Sequence, residues 1–474
     1  MSHKFSRRQL AASAMAAAPL AAAASRPNIV LILSDDHSVP HLGCYGDKVI
    51  QTPNLDRFAS EGMRFDRMFT AAPQCVPSRA AIMTGRSPVA ARIARFSSPL
   101  HPGVVTLPEL LRQNGYFTGI CRRTFHLDGP ANPPAETRRI FDEHGMRTFE
   151  SRVDWLDRNS PRAQTVSKVN EFLDKRAGAK PFFLWISFND PHHAWDSNAI
   201  PRPHDPSRLA LPRHMPDLPG MRQDLARYYD EISRMDGEFQ SVMDVLEKRG
   251  QRDNTIVLFM GDNGHAFPHG KGSLYDPGLN VPFLVRWPGQ VKAGAATRQL
   301  VSGEDVAPTL LEAAGVRAPG EMSGQSFLNL LRGRPHAGRK HIYAARGVHG
   351  NSAFNEKTKA SQFDLSRCVR TDRYKLIFNC TPSMEYAPVD SANDPGWRQT
   401  VEAHNSGKLP PELSRAYFTR PRPIVELFDL DQDPSELQNL AGRPELAAIE
   451  RELKLALQEK MILDYDFLPL PTNE

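Results

Sequence analysis

The run Asn28-Ile29-Val30-Leu31-Ile32-Leu33 is apolar without alternation and ends abruptly in Ser34-Asp35-Asp36. A strand with one face in water alternates apolar and polar residues. One that is apolar throughout is covered on both faces, which points to a parallel sheet between two layers of helix. The pattern recurs at Phe182–Phe188 and at Thr255–Met260, which runs into Asp262 and Asn263, and Val281–Val285 reads as a further strand. Helical signals fall between these runs. Thr52-Pro53 supplies an N-cap and a proline at the first helical position, Leu55, Phe58 and Ala59 form an apolar face, and Gly62 ends the segment. Thr106 and Glu109 fit a capping box, Val166, Val169, Phe172 and Leu173 mark another helix, and Leu225–Lys248 is a long amphipathic one. Alternating strands and helices predict an α/β fold, with a doubly wound, mixed or mostly parallel central sheet flanked by helices.

Beyond about residue 345 the texture changes. Cys368–Asn379 reads as a strand of a two-faced sheet with charged outward positions, and Pro444–Lys460 reads as a helix. The expected organisation is a catalytic α/β domain over 26–345 and a smaller C-terminal α+β subdomain over 346–474. Residues 1–25 are expected to be an address rather than structure. Ser6-Arg7-Arg8-Gln9-Leu10 followed by an Ala-rich run resembles a twin-arginine export signal, and Ala22, Ala24 and Ser25 offer a cleavage site. The apolar stretch is too short to span a bilayer, and no other segment could do so. The sequence thus predicts export to the periplasm or beyond by the twin-arginine machinery, with no integral membrane segment in the mature chain. Three of the five formal net positive charges belong to Lys4, Arg7 and Arg8. No Lys/Arg stripe is present, so nucleic acid is not a predicted partner. The five cysteines, Cys44, Cys75, Cys121, Cys368 and Cys380, show no zinc spacing. Cys368 could pair with Cys380, or all could stay reduced.

In open α/β sheets, ligands bind beyond the carboxyl ends of the strands. Asp35 and Asp36 follow one buried strand, and Asp262 and Asn263 follow another. These residues could converge on one divalent cation, and an all-oxygen set suits Ca²⁺, with Mg²⁺ as the alternative.

One further string, Cys75-Val76-Pro77-Ser78-Arg79, continues as AAIMTGR to Thr84-Gly85-Arg86. Its ordinary reading is a buried cysteine before a helix. The string also resembles the signature of the type I (formylglycine-dependent) sulfatases of the alkaline phosphatase superfamily. The likeness extends in family order through PNIVLILSDDHS, TPNLDRFASEG, TLPELLRQNGYFTG, PFFLWISFNDPH, TIVLFMGDNG, GKGSLYDPGLNVPFLVRWPG and EDVAPTLLEAAGV.

The resemblance implies that a maturation enzyme oxidises Cys75 to formylglycine, whose hydrate is the nucleophile. It implies that Asp35, Asp36, Asp262 and Asn263 hold the cation together with an oxygen of the modified Cys75. Arg79 orients the hydrate, Lys271 binds sulfate, His192 contacts sulfate or protonates the leaving group, and His126 hydrogen-bonds the hydrate. Arg123 stands where many sulfatases have lysine; it either binds sulfate or turns away and leaves the role to Arg122. Asn280 stands where relatives often have arginine, with a structural consequence expected. His37 could reach the site rim or be a loop residue.

The segment from Arg367 through Ala441 resembles heparan N-sulfatases (sulfamidases) in VRTDRYKLIFN, the Pro-Gly-Trp at 395–397 and DLDQDPSELQNLA. The implied substrate is a sulfated sugar or glycan. An exo-acting O-sulfatase is the favoured expectation, a sulfamidase the alternative, and a phosphonate monoester or phosphodiester hydrolase the more remote one.

Overall fold

The computed structural model describes residues 26–93, 99–124, 135–146, 148–176, 178, 180–348 and 364–472. The leader expected at 1–25 and the candidate His126 lie outside them.

Fourteen strands are described: β1 (Asn28–Ser34), β2 (Met63–Phe65), β3 (Met68–Phe69), β4 (Phe117–Arg122), β5 (Trp155–Leu156), β6 (Phe182–Ser187), β7 (Thr255–Gly261), β8 (Phe283–Arg286), β9 (Ala295–Thr297), β10 (Val301–Ser302), β11 (Ile342–Arg346), β12 (Ser366–Arg370), β13 (Tyr374–Asn379) and β14 (Val425–Asp429). Eight form the central sheet in the order β5-β4-β6-β1-β7-β8-β2-β9. The neighbours from β5 through β7 run parallel, while β8 is antiparallel to both β7 and β2. The sheet is therefore mixed and mostly parallel, as its unalternating strands require.

The two-sided covering is visible residue by residue in β1. Ile29, Leu31 and Leu33 enter one core, shared with Ile82 and Met83 of the helix Cys75–Thr84, Leu107 and Leu111 of Leu107–Gln113, and Leu310 of Val306–Ala313. Val30 and Ile32 enter the other, with Leu55 and Phe58 of Pro53–Glu61, Phe172 of Thr165–Lys175, and Tyr228, Ile232 and Phe239 of Pro219–Lys248. Successive side chains of a strand point to opposite faces, so a residue run with no polar position demands a helix layer on each side.

The capping box forms: Glu109 accepts the Thr106 amide at 3.0 Å and the Thr106 hydroxyl at 2.9 Å. The long helix starts at Pro219 rather than Leu225, because proline at the first helical position costs no hydrogen bond. The helix expected to follow Cys75 includes it as the first residue, with Pro77 in the first turn. The strand expected from Val281 starts at Phe283.

The C-terminal part holds a four-stranded antiparallel sheet, β11-β12-β13-β14. The single strand expected over Cys368–Asn379 is two strands. Cys368 pairs with Ile377, and the Thr371 amide donates to the Tyr374 carbonyl at 2.8 Å. The charged residues Asp372 and Arg373, read as outward positions of one strand, are the hairpin turn between β12 and β13. Both faces of the sheet are covered, so Arg370 and Lys375, expected at outward positions, are buried, paired with Asp276. Val369, Leu376, Phe378 and Leu427 pack under Leu453, Leu457 and Met461 of the helix Ala447–Leu463, and Cys368, Ile377 and Phe428 pack on Phe69, Leu274 and Leu279. All five cysteines are free thiols, so Cys368 and Cys380 are not bridged. No helix among the described residues is long and apolar enough to cross a membrane.

Candidate active site

The register of β1 against β7 aligns Ser34 with Gly261, so both acidic strand ends emerge side by side. The Asp262 amide donates to the Ser34 carbonyl at 3.0 Å, and the Asp36 amide donates to Asp262 Oδ1 at 3.0 Å. Asp36 turns its backbone into the left-handed region (φ +64°), and the Tyr228 hydroxyl from the long helix donates to its carbonyl at 3.0 Å.

Cys75 is the first residue of its helix, and its Sγ lies 3.3 Å from Asp35 Oδ1 and 3.8 Å from Asp36 Oδ1. The helix N-terminus favours an anion there by about 0.3–2 kcal/mol. As a thiol, however, Cys75 is a poor nucleophile: burial, and then the charge of Asp35, pushes its pKa well above the ordinary value.

Arg79, one turn further along the helix, has no exposure to solvent and uses its whole guanidinium. Nε donates to Asp262 Oδ2 at 2.8 Å, Nη2 to Asp35 Oδ2 at 3.1 Å, and Nη1 to Ser187 Oγ at 3.0 Å. Arg123 resolves the alternative left by its sequence. Its Nε is 2.8 Å from Asp35 Oδ2, in the site. Arg122 faces the other way, toward Glu238 at 3.3 Å and the Ser160 carbonyl. The backbone of Arg122 takes a left-handed turn (φ +72°) at the end of β4.

Lys271 donates to Asp36 Oδ2 at 2.9 Å and to Asp390 Oδ2 at 2.7 Å, and lies 3.3 Å from His192 Nε2. Burial, reinforced by the charge of Lys271, lowers the His192 pKa to about 3, so the ring is neutral. Burial also raises Asp36 to about 6 and Asp262 to about 7, with Asp35 adding to both. Asp35, Asp36, Asp262 and Asp390 thus outnumber the cations Arg79, Arg123 and Lys271. A buried site with an excess of carboxylates suits a bound cation.

Other features support that fit. Ligating atoms of Asp35, Asp36, Cys75 and His192 lie within 4.8 Å of one another. Asn263 Nδ2 donates to Asp36 Oδ1 at 2.8 Å, while Asn263 Oδ1 is buried with no hydrogen-bond partner, an acceptor that a cation would satisfy. Asp262 is occupied differently: Oδ1 accepts the amides of Asp36 and Asn263, and Oδ2 takes Arg79.

The candidates Asp35, Asp36, Cys75, Arg79, Arg123, His192, Asp262, Asn263 and Lys271 are therefore brought together. His37 is buried behind the acidic pair, 3.1 Å from Ser34 Oγ and 3.1 Å from the His41 carbonyl, and does not form the rim. Asn280 acts structurally, with Nδ2 donating to the Asp66 carbonyl at 3.3 Å. Ser187 and Asp390 escaped the sequence reading. Ser187 ends a strand that shows only an apolar run, and Asp390 lies in a loop without periodicity.

Comparison with known proteins gives this geometry its family. The family described as Sulfatase matches residues 27–316, more than half of the chain. The chain belongs to the sulfatase family. A second match, described as the C-terminal part of N-sulphoglucosamine sulphohydrolase, covers residues 264–416 of the sulfatase. An ulvan-active sulfatase of Formosa agariphila is 29% identical over 95% of this chain and 77% of its own. Human N-sulphoglucosamine sulphohydrolase is 29% identical over 91% of this chain and 89% of its own. Among solved structures, one described as bound to its substrate D-glucosamine-2-N,6-O-disulfate has a TM-score of 0.67 at 21% identity, covering 93% of this sulfatase and 99% of that chain. The phosphonate monoester hydrolase of Silicibacter pomeroyi shares the fold equally, with a TM-score of 0.67 at 19% identity over 93% and 96% of the chains.

Behind the acidic strand ends, buried rings pack in series from the sheet toward the C-terminal part: His41 lies tilted against His265 at 5.5 Å, and then His265 stacks on His214 at 6.0 Å, His214 on His269 at 5.8 Å, and His269 on Tyr275 at 3.9 Å. This column backs the loop carrying Lys271. Gly272 in that loop has φ +77°, and a Cβ there would lie 2.2 Å from Val389 Cγ2. Gly272→Ala should therefore cost about 2–4 kcal/mol from the left-handed backbone and the clash together. Denaturant unfolding measures this, and an unchanged midpoint would contradict the packing described.

Proposed function

We propose that this sulfatase removes sulfate from sulfated carbohydrates as an exo-acting O-sulfatase, using residue 75 as formylglycine. The observation that carries the reading is the seating of Cys75 on a helix N-terminus, 3.3 Å from Asp35 and braced by the fully buried Arg79. Residue 75, oxidised to the aldehyde and hydrated, supplies one hydroxyl that bonds to sulfur as the sugar oxygen leaves. The second hydroxyl then gives up its proton, sulfate departs, and the aldehyde is restored. Arg79 orients the hydrate, the neutral His192 contacts sulfate, and Lys271 with Arg123 faces the sulfate charge. For His126 the family resemblance implies a hydrogen bond to the hydrate. Asp35, Asp36, Asp262 and Asn263 would hold a divalent cation, Ca²⁺ in preference to Mg²⁺, which when bound would supply positive charge beside the sulfate and favour loss of the hydroxyl proton.

Arg123 presents a planar fork where a lysine presents a point charge, so it suits two sulfate oxygens at once. The sequence of residues 1–25 supports export by the twin-arginine route, after a maturation enzyme has acted on Cys75 in the cytosol.

A sulfamidase is the second reading, supported by the match to the C-terminal part of N-sulphoglucosamine sulphohydrolase over 264–416. The deciding experiment is sulfate release by protein whose residue 75 is confirmed as formylglycine by peptide mass. N-sulfated glucosamine is offered beside a panel of O-sulfated mono- and disaccharides. Release from the O-sulfated sugars alone supports the first reading, release from N-sulfoglucosamine alone replaces it with the second, and release from neither overturns both.

A further inference from the structure

Lys271 is held from outside the central sheet as well as from within it. Its ammonium group is almost wholly buried, and two carboxylates and an imidazole take its surroundings: Asp36, Asp390 and His192. Asp36 is a shared partner. Its carboxylate also receives Asn263 Nδ2 at 2.8 Å and belongs to the cluster of candidate cation ligands. Asp390, at 2.7 Å, makes the shorter contact and comes from the segment between the hairpin β12–β13 and the helix Pro395–Asn405.

That segment is fastened to the site at several points. Val389 sits against the Cα of Gly272, leaving no room for a side chain there. The Ser391 hydroxyl donates to the Ala266 carbonyl, at the start of the loop that carries Lys271. Asp394 Oδ2 lies 2.7 Å from Nε2 of His193, next to His192. Between these anchors Asp390 adopts φ +70°, a left-handed backbone that a non-glycine residue keeps only where its surroundings enforce it.

We infer that Asp390 is a positioning residue for catalysis: its carboxylate holds the Lys271 ammonium toward the sulfate position, beside His192. The C-terminal part of the chain thereby completes the active site. A lysine side chain has a flexible four-carbon stem, and a buried ammonium goes to the nearest anion. Without Asp390 the nearest anion is Asp36, deeper in the site. The inference rests on reading Lys271 as the sulfate-binding lysine.

The test uses the full, formylglycine-containing enzyme and 4-nitrophenyl sulfate. Asp390→Asn keeps the shape of the side chain, and a thermal midpoint matching the wild type verifies that folding is preserved. Asparagine keeps an acceptor oxygen but not the charge, and losing the charge-assisted part of the contact corresponds to a fall of about 5- to 10-fold in kcat/KM. In a Lys271→Ala background the same replacement should change kcat/KM by less than about threefold, because the partner it positions is gone. A crystal structure of Asp390→Asn should show the ammonium, already 2.9 Å from Asp36 Oδ2, withdrawn from residue 390 and from His192 toward Asp36 alone.

Undiminished activity in Asp390→Asn, an equal loss in both backgrounds, or a lysine that stays in place would each overturn the inference. A wild-type enzyme that releases no sulfate from any ester would instead remove the functional reading beneath it.

Discussion

Replacing Cys75 by serine should stop turnover without unfolding the protein. The expected fall in steady-state sulfate release is at least about 10⁴-fold, the scale on which removing a covalent nucleophile acts. The site argues for the form this failure takes. A serine hydroxyl fits the volume of the thiol, sits at the same helix N-terminus, and meets the same Asp35 and Asp36 oxygens. It can therefore attack sulfur once. It has no second hydroxyl, so the sulfate ester it forms has no internal route to expulsion. The variant should release at most one equivalent of desulfated sugar and keep the sulfate on residue 75, visible as added mass on the peptide carrying it. Cys75→Ala should do neither and should keep its affinity for the sugar. Continued turnover by either variant would exclude residue 75 as the nucleophile.

Arg79→Ala should be the most damaging single change to stability. Arg79 spans Asp262 at 2.8 Å and Asp35 at 3.1 Å, and all three side chains are wholly buried. Removing one member of a buried ionic set leaves the opposite charges uncompensated, which costs about 3–5 kcal/mol. Here the arginine also compensates Asp262, whose carboxyl burial already pushes toward protonation, up to about 7. Added Ca²⁺ should recover part of the loss by supplying charge to the same oxygens, and a chelator should deepen it. Arg79→Lys keeps the charge but cannot reach Asp262, Asp35 and Ser187 together. It should fold better than the alanine variant and still lose activity. Thermal midpoints with and without Ca²⁺ measure all three effects. An alanine variant as stable as the wild type would refute the bracing role.

The parts of this molecule legible in the sequence share a physical reason. Strands buried on both faces leave unalternating apolar runs, and the acids that follow them mark the ligand-binding edge, so Asp35, Asp36, Asp262 and Asn263 declare themselves. Cys75 and Arg79 declare themselves through a contiguous string. What stayed hidden depends on contacts between distant segments. The choice between Arg122 and Arg123 is made by one left-handed backbone angle at Arg122, which sends two adjacent guanidinium groups to opposite sides. The hairpin at Thr371–Arg373 was masked because its turn lacks glycine, proline and asparagine, so charged turn residues passed for outward strand positions. Asp390 touches the site only because Val389 and Ser391 seat its loop on the segment holding Lys271, 119 residues away in sequence.

The stacked imidazoles behind the site carry a consequence for the conditions under which the enzyme stays folded. Burial holds His41 and His214 neutral, with pKa values well below the ordinary 6.5, and holds His269 at about 3. Neighbouring rings reinforce this for His41 and His214, and Lys375 does so for His269, while Asp47 opposes it for His41. Unfolded, each ring would take up a proton near pH 6.5. Between that value and the depressed folded one the unfolded chain binds more protons, so stability present near neutrality drains away on acidification, by about 1.4 kcal/mol per pH unit for each ring. Carboxyls that burial raises, such as Asp36 to about 6 and Asp262 to about 7, act in the opposite sense. The test is therefore the difference in thermal midpoint between the wild type and His214→Gln, which should shift against the wild type between pH 7 and pH 5; a constant difference would refute neutral burial of His214. A scaffold built this way draws part of its stability from rings that must stay neutral, so protons in the solvent become a load on the core itself.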